Sequence, residues 1–384
     1  MMKKIKFMLL AAMAVCLTAP VFTSCSSDNT NDPENLISEY SYNDNLVAAQ
    51  KAKSKKDVAV LLVAFGSTWN NAFLAFDKTK AAYEKAFPEA DVYVSFSSDI
   101  CINRASVGEN PDDNGNIVKR DYYEPRYLLH AIGDAKYSKI YVQSLQVIPG
   151  EEFAAVVASV KKFMNNGYIA KAHLDDEYLA KLQDDEAIFL GMPLLNDPET
   201  DVPEVAKQLN ALYNAEAQQG VVAFMGHGNP DTYDTFKANV RYTQLEEALQ
   251  ALNSNYFVGT VDMPDNYKQD VLARMQEQGK TSGRIFLHAL MSIAGDHAHN
   301  DMAGGFDAES EEDKAEYWDP EDPESEDNSW FMYFGNNGFT PVVPVVGNHP
   351  QGLLEQPGVL NVWIQHTKNA EFLEDAYHSM NPEL

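Results

Sequence analysis

The run Asp57-Val58-Ala59-Val60-Leu61-Leu62-Val63-Ala64-Phe65 constrains this chain more than any other stretch. A strand with one wet face alternates apolar and polar residues, whereas an unbroken apolar run needs cover on both faces. The run ends in Gly66-Ser67-Thr68, a turn that can open a helix. Asn71 to Phe87 then carries Phe73, Phe76, Ala82, Tyr83 and Phe87 at helical spacing, and Pro88 stops it. The pattern continues, with strands expected at 91–96, 139–145 and 187–191 and helical sequence around 125–129 and over 151–164. Strand and helix alternating at this spacing predict an α/β fold with a parallel sheet covered by helices.

The second half repeats the plan. Strands are expected at 220–224, 256–261, 284–290 and 340–346, and helices at 204–213, 233–252 and 266–277. An apolar run at 358–364 is expected to precede a C-terminal helix that packs back across the domains. Val63-Ala64-Phe65-Gly66 parallels Val222-Ala223-Phe224-Met225-Gly226, and Leu145-Gln146-Val147-Ile148-Pro149-Gly150-Glu151-Glu152 parallels Leu290-Met291-Ser292-Ile293-Ala294-Gly295-Asp296-His297. The second pair falls at equivalent points of two βα units, which favours duplication. Two α/β lobes follow, residues 56–195 and 196–384, with Glu152 standing where His297 stands in the other and a cleft between them.

The chemistry concentrates in two turns. Met225-Gly226-His227-Gly228 and Ala294-Gly295-Asp296-His297-Ala298-His299-Asn300-Asp301 each place a histidine beside glycine after a strand-like run. Residues just past strand ends line the crevice where α/β sheets bind ligands. Two imidazoles delivered there suggest a transition-metal site or an acid–base site. His288 lies inside an expected strand and reads as structural, and His130, His173, His349, His366 and His378 read as surface or packing residues.

Several function classes drop out. The formal net charge of −28 argues against nucleic acid, which needs a basic face, and favours a cationic partner. Much of that charge lies between Asp307 and Asp327, where Lys314 is the only basic residue, and this stretch reads as a solvated, mobile loop. Of three cysteines, only Cys101 falls within the folded part, so neither an internal disulfide nor a cysteine-rich zinc site is expected. Walker A, Gly-x-Gly-x-x-Gly and Gly-x-Ser-x-Gly sequences are missing, which leaves ATP hydrolysis, nicotinamide chemistry and acyl transfer without a motif.

The N-terminus points outside the cytoplasm. Met1 to Lys6 is a basic segment and Phe7 to Ala19 an apolar one too short for a permanent span. Phe22-Thr23-Ser24-Cys25 resembles a bacterial lipobox, in which Cys25 takes the lipid, and Ser26 to Asp32 resembles the surface-export signal of Bacteroidetes-type lipoproteins. Residues 1–25 are thus expected as a signal and 26–55 as a polar tether.

The two histidine turns, the run Gln143-Ser144-Leu145 leading to Gly150-Glu151-Glu152-Phe153, the segment Met192-Pro193-Leu194-Leu195 and the later Ser329-Trp330 together resemble the anaerobic-type cobalt chelatases, class II tetrapyrrole chelatases that act on sirohydrochlorin. The resemblance spans about residues 56–375, and its Gly-Asp-His-x-x-Asn-Asp element is the most specific part. It implies two Rossmann-like lobes with parallel sheets and the macrocycle in the cleft. It also implies that His227 and His297 act at the metal and the pyrrole nitrogens, and that Glu152 is a cleft glutamate. A third metal ligand in the family follows a Val-Gly-x-Val strand; here Val258-Gly259-Thr260-Val261 leads to Asp262, where the family usually has glutamate. The implied substrate ion is divalent, Co²⁺ first with Ni²⁺ or Fe²⁺ as alternatives, and neither ATP nor a nicotinamide is needed.

Leu145-Gln146-Val147 departs from the family's Leu-His-Ile, and 107–121 and 307–327 look like insertions. The lipoprotein signal departs further, because tetrapyrrole biosynthesis is usually cytoplasmic. Two readings therefore share the cleft. One is a chelatase acting outside the cytoplasm, and the other is a lipoprotein that captures a tetrapyrrole or a divalent metal for an outer-membrane transporter. A two-lobed solute-binding protein accounts for the lobes and the lipid but not for the histidine turns.

Overall fold

The computed structural model describes residues 46–112, 114–166, 173–234, 236–308 and 310–373. The expected signal, Cys25 and most of the tether lie outside the described residues. The tether expected to reach residue 55 gives way to helix α1 over 46–54, which buries Val47 and ties Gln50 and Ser54 to the Asp91 carboxylate.

Two sheets form the frame. In the first, β1 (Val58–Ala64) lies between β2 (Ala90–Phe96) and β3 (Lys139–Ser144), and β4 (Ile188–Gly191) follows, all parallel. In the second, β5 (Val221–Gly226) lies between β6 (Tyr256–Thr260) and β7 (Gly283–Ala289), with β8 (Phe339–Val342) beyond, again all parallel. The orders β2-β1-β3-β4 and β6-β5-β7-β8 are one path traced twice, as the internal repeat predicts. Such an order reverses direction at its central strand, so a crevice opens beyond the carboxyl ends of β1 and β3, and likewise of β5 and β7.

The unbroken apolar runs are explained by cover on both faces. Along β1, Val60 and Leu62 point into a core shared with the second sheet, while Ala59, Leu61 and Val63 point into the first sheet's outer core. Along β5, Val222 and Phe224 join the shared core, and Val221, Ala223 and Met225 join the second sheet's outer core. The shared core is filled by α2 (Asn70–Ala86), α7 (Asp201–Ala217), α8 (Val240–Leu252) and α12 (Pro357–Lys368). The first outer core takes α4 (Pro125–Asp134), α5 (Glu151–Met164) and α6 (Asp176–Asp184). The second takes α9 (Lys268–Glu277) and α11 (Trp330–Asn336).

Several expectations need correction. The apolar run at 358–364 precedes no helix; it is α12 itself, started by Pro357 in its first turn. The helix packs on α2, α7, β3 and β4, and the following β9 (Glu371–Phe372) pairs antiparallel with β4. Helix α12 and β9, grouped above with the second lobe, thus lie on the first sheet. The helix expected from 233 begins only at Val240, because the Asp234 carboxylate takes the amides of Ala238 and Asn239 and holds a loop. Helix α3 (Asp99–Val107) lay in no expected element; Ser98 caps its start and Gly108, at φ 71°, ends it. The acidic 307–327 stretch faces solvent, but it is tied down. It holds the short helix α10 (Glu311–Lys314), Lys268 Nζ donates to the carbonyls of Ser325 and Glu326, and Asn328 donates to Asp322 O.

Candidate active site

Both histidine turns lie at the crevice of the second sheet. His227 directly follows β5, and its carbonyl accepts the amides of Val261 and Asp262 at 3.0 and 2.8 Å, which locks the end of β5 to the end of β6. Gly228 has φ 78°, and a Cβ there would meet Met263 N at 2.8 Å, so the tight return past the imidazole needs glycine. The Tyr242 hydroxyl accepts the Gly228 amide, and burial pushes that phenol well above its usual range. Nδ1 of His227 lies 2.8 Å from Gly228 O and 3.5 Å from Asp262 Oδ2. Both neighbours only accept, so Nδ1 carries the proton and Nε2 the lone pair.

His297 follows the 290–296 loop beyond β7, at the start of a single π-helical turn, Ala298–Met302. Its Nδ1 donates to Asp301 Oδ2 at 2.5 Å, which leaves the lone pair of the neutral ring on Nε2. Burial disfavours its imidazolium, but the Asp301 hydrogen bond and the charges of Asp301, Asp262 and Asp296 together hold its pKa above the ordinary value. The rings of His227 and His297 stand 4.8 Å apart, at 83° to each other. Both side chains are 40 % exposed, so the pair faces open cleft.

The first sheet supplies the opposite wall. Glu151 and Glu152 form the first turn of α5, just beyond β3, where the helix dipole favours anions. A Cβ on Gly150 would strike Asn229, two residues past His227, so the walls meet closely here. Glu152 feels the charges of His227, His297 and Asp262; burial raises its pKa although the histidines pull it down. Burial and the neighbouring Glu152 charge raise that of Glu151 as well, against the pull of His227. Glu152 and His297, matched in the sequence repeat, thus lie across one cleft at equivalent ends of β3 and β7.

The structure therefore brings His227, His297, Asp262 and Glu152 together. Asp262 lies against Nδ1 of His227, as Asp301 lies against Nδ1 of His297. Each ring has a carboxylate on its far nitrogen, the arrangement that orients metal-binding imidazoles. Among the described residues, no group of three or more His, Cys, Asp or Glu side chains is closed into a ready metal cage. Two Nε2 lone pairs with a carboxylate across the cleft suit a borderline divalent ion in transit and the uptake of protons.

Sequence reasoning quoted Asp301 within the histidine turn without giving it a role, and it missed Trp69. Asp301 was legible as a carboxylate four residues after His297 on a helical turn. Trp69, after β1, donates Nε1–H to Asp296 and stacks on His299 at 3.7 Å and 6°. No sequence pattern links residues so far apart in the chain. His288 lies within β7, paired with Glu216 at 2.6 Å and packed on Tyr213.

Residues 58–317 match the model of the cobalt chelatase family CbiK. The chain is similar to sirohydrochlorin cobaltochelatase CbiKC of Nitratidesulfovibrio vulgaris, with 25 % identity over 307 residues, 80 % of this chain and 88 % of that one. It is also similar to the sirohydrochlorin cobaltochelatase of Salmonella typhimurium, with 25 % identity over 318 residues, 81 % of this chain and 96 % of that one. The solved structure of SirB from Bacillus subtilis with Fe³⁺ aligns over 83 % of this chain and 98 % of that one, at 12 % identity and a TM-score of 0.46. With a match across more than half its length, the chain belongs to the CbiK cobalt chelatase family.

Proposed function

We propose that this protein inserts a divalent metal, Co²⁺ before Ni²⁺ or Fe²⁺, into sirohydrochlorin or a related macrocycle, and does so outside the cytoplasm on a lipid anchor at Cys25. The observation that carries the chemical part is the perpendicular pair His227 and His297, each backed by a carboxylate and facing Glu152 across the cleft. The cobalt chelatase family and its sirohydrochlorin-acting relatives supply the substrate class. The lipobox-like Phe22-Thr23-Ser24-Cys25 supplies the location.

Insertion exchanges two pyrrole N–H protons for one divalent ion, so charge balances without ATP or a redox partner. The incoming ion would be taken by Nε2 of His227 and of His297, while Asp262, 3.5 Å from Nδ1 of His227, backs that ring from its far side. His297, its basicity raised by Asp301, accepts a pyrrole proton as the ion moves to the macrocycle. Glu152, favoured toward its protonated form by burial, takes up the second proton or passes it to solvent.

Full-length protein mixed with sirohydrochlorin and Co²⁺ should convert many equivalents of macrocycle, read from the visible absorption spectrum. A spectral change that stops at one equivalent would instead mark capture for uptake and sink the enzymatic reading. The anchor is checked separately: intact mass of the protein from the membrane fraction should show an acylated N-terminal Cys25. A soluble product cleaved elsewhere would remove the lipid from the proposal and leave the chemistry standing.

A further inference from the structure

A second pair of imidazoles lies beside the cleft. His299 stands two residues beyond His297, but its ring faces another way. Its Nδ1 lies 2.9 Å from Gly295 O, which can only accept, so Nδ1 carries the proton and Nε2 the lone pair. That lone pair faces His349 Nδ1 at 3.3 Å. The Trp69 indole lies flat against the His299 ring and fixes its plane. His349 is held by a bridge to Val346, in a segment that continues into Leu353 and Leu354, whose amides bond Met291 O and Ser292 O. The His299 ring is thus set by a backbone carbonyl, and the segment that carries His349 is tied by its main chain to the loop after β7. His349 lies outside the residues 58–317 matched by the family model.

The spacing is informative. Two imidazole nitrogens bound to one tetrahedral ion at about 2.0–2.1 Å lie about 3.4 Å apart. The observed 3.3 Å is long for a hydrogen bond between rings and close to that value. A ring nitrogen that donates to a backbone carbonyl while its partner nitrogen faces outward is also the usual state of a metal-binding histidine.

We propose that His299 and His349 form a second, two-histidine site for a borderline divalent cation of the Ni²⁺, Zn²⁺ or Cu²⁺ class on the rim of the cleft, with solvent filling the remaining positions. Binding moves the His349 proton from Nδ1 to Nε2, which turns the Nδ1 lone pair to the ion without net proton release. The site is independent of what the cleft does to a macrocycle.

The test uses full-length, metal-free protein titrated with Ni²⁺ alone at high salt, which screens the acidic surface. The background is the His227→Ala/His297→Ala double variant, which lacks the cleft imidazoles. That variant should still bind one equivalent of Ni²⁺. Adding His349→Ala should weaken this binding at least tenfold, and His349→Gln, which keeps the size of the side chain, should do the same. Cu²⁺ bound to the double variant should show hyperfine coupling to two nitrogens, falling to one after either His349 change. Absence of saturable Ni²⁺ binding in the double variant would overturn the proposal, as would binding unchanged by both substitutions. Macrocycle turnover is not read, so failure here is separable from failure of the chelatase reading.

Discussion

Replacing His297 with alanine should lower Co²⁺ insertion into sirohydrochlorin by about 10²–10⁴-fold, the range for loss of a positioned proton acceptor, with a metal ligand lost besides. His227→Ala should fall in the same range, because the two rings share one 4.8 Å site. The variants should fold, since both side chains are 40 % exposed and neither fills a core. Asp301→Asn separates orientation from chemistry. Asp301 holds the His297 pKa up against burial, so the wild-type ring becomes a free base only above its raised pKa. Without that carboxylate the ring loses its proton more readily, and the acidic limb of the rate profile should move to lower pH while the plateau drops. A side chain that only packs would change the plateau and leave the limb in place. The reading fails if His227→Ala and His297→Ala both keep wild-type Co²⁺ affinity and wild-type turnover.

Much of this site could be read from sequence because it is built at strand ends. A run such as Val58–Phe65 is buried on both faces for any parallel sheet, and the residues just after such strands must line the crevice. His227, Glu152 and His297 could be placed on that ground, and the repeat linking Leu145–Glu152 to Leu290–His297 put two of them on facing walls. What stayed hidden depends on tertiary contacts. The stacking of Trp69 on His299 and the approach of His349 join segments with no common periodicity. The loop at 233–239 looked helical because its composition allows a helix, and the Asp234 carboxylate competes successfully for the amides a helix would use. The run at 358–364 was ambiguous for a different reason: an apolar stretch of that length fits a buried strand or a buried helix, and periodicity alone cannot separate them.

That last stretch carries the largest expected effect on stability. Trp363 is fully buried in the core shared by both sheets, and its Nε1 donates to Gln146 O at 3.2 Å. One turn later, Thr367 bonds Gln143 and Tyr83, so α12 is pinned to β3 and α2 at two successive levels. Trp363→Ala should cost about 3–5 kcal/mol, the range for a large aromatic removed from a well-packed interior. Trp363→Phe should cost less, because it keeps most of the volume and loses one hydrogen bond; the Gln146 carbonyl still accepts the Leu194 amide and is not left unpaired. The measurement is a denaturant unfolding curve, in which the midpoint should fall while the slope stays constant. The same substitution should also weaken the site. Gln146 lies in the loop between β3 and α5, whose first turn carries Glu152, and α12 holds that loop from behind, so a loosened helix loosens the wall facing His227 and His297. A loss below about 1 kcal/mol, within the range of surface changes, would mean that α12 is dispensable to the shared core. The placement of Glu152 would then rest on the first sheet alone.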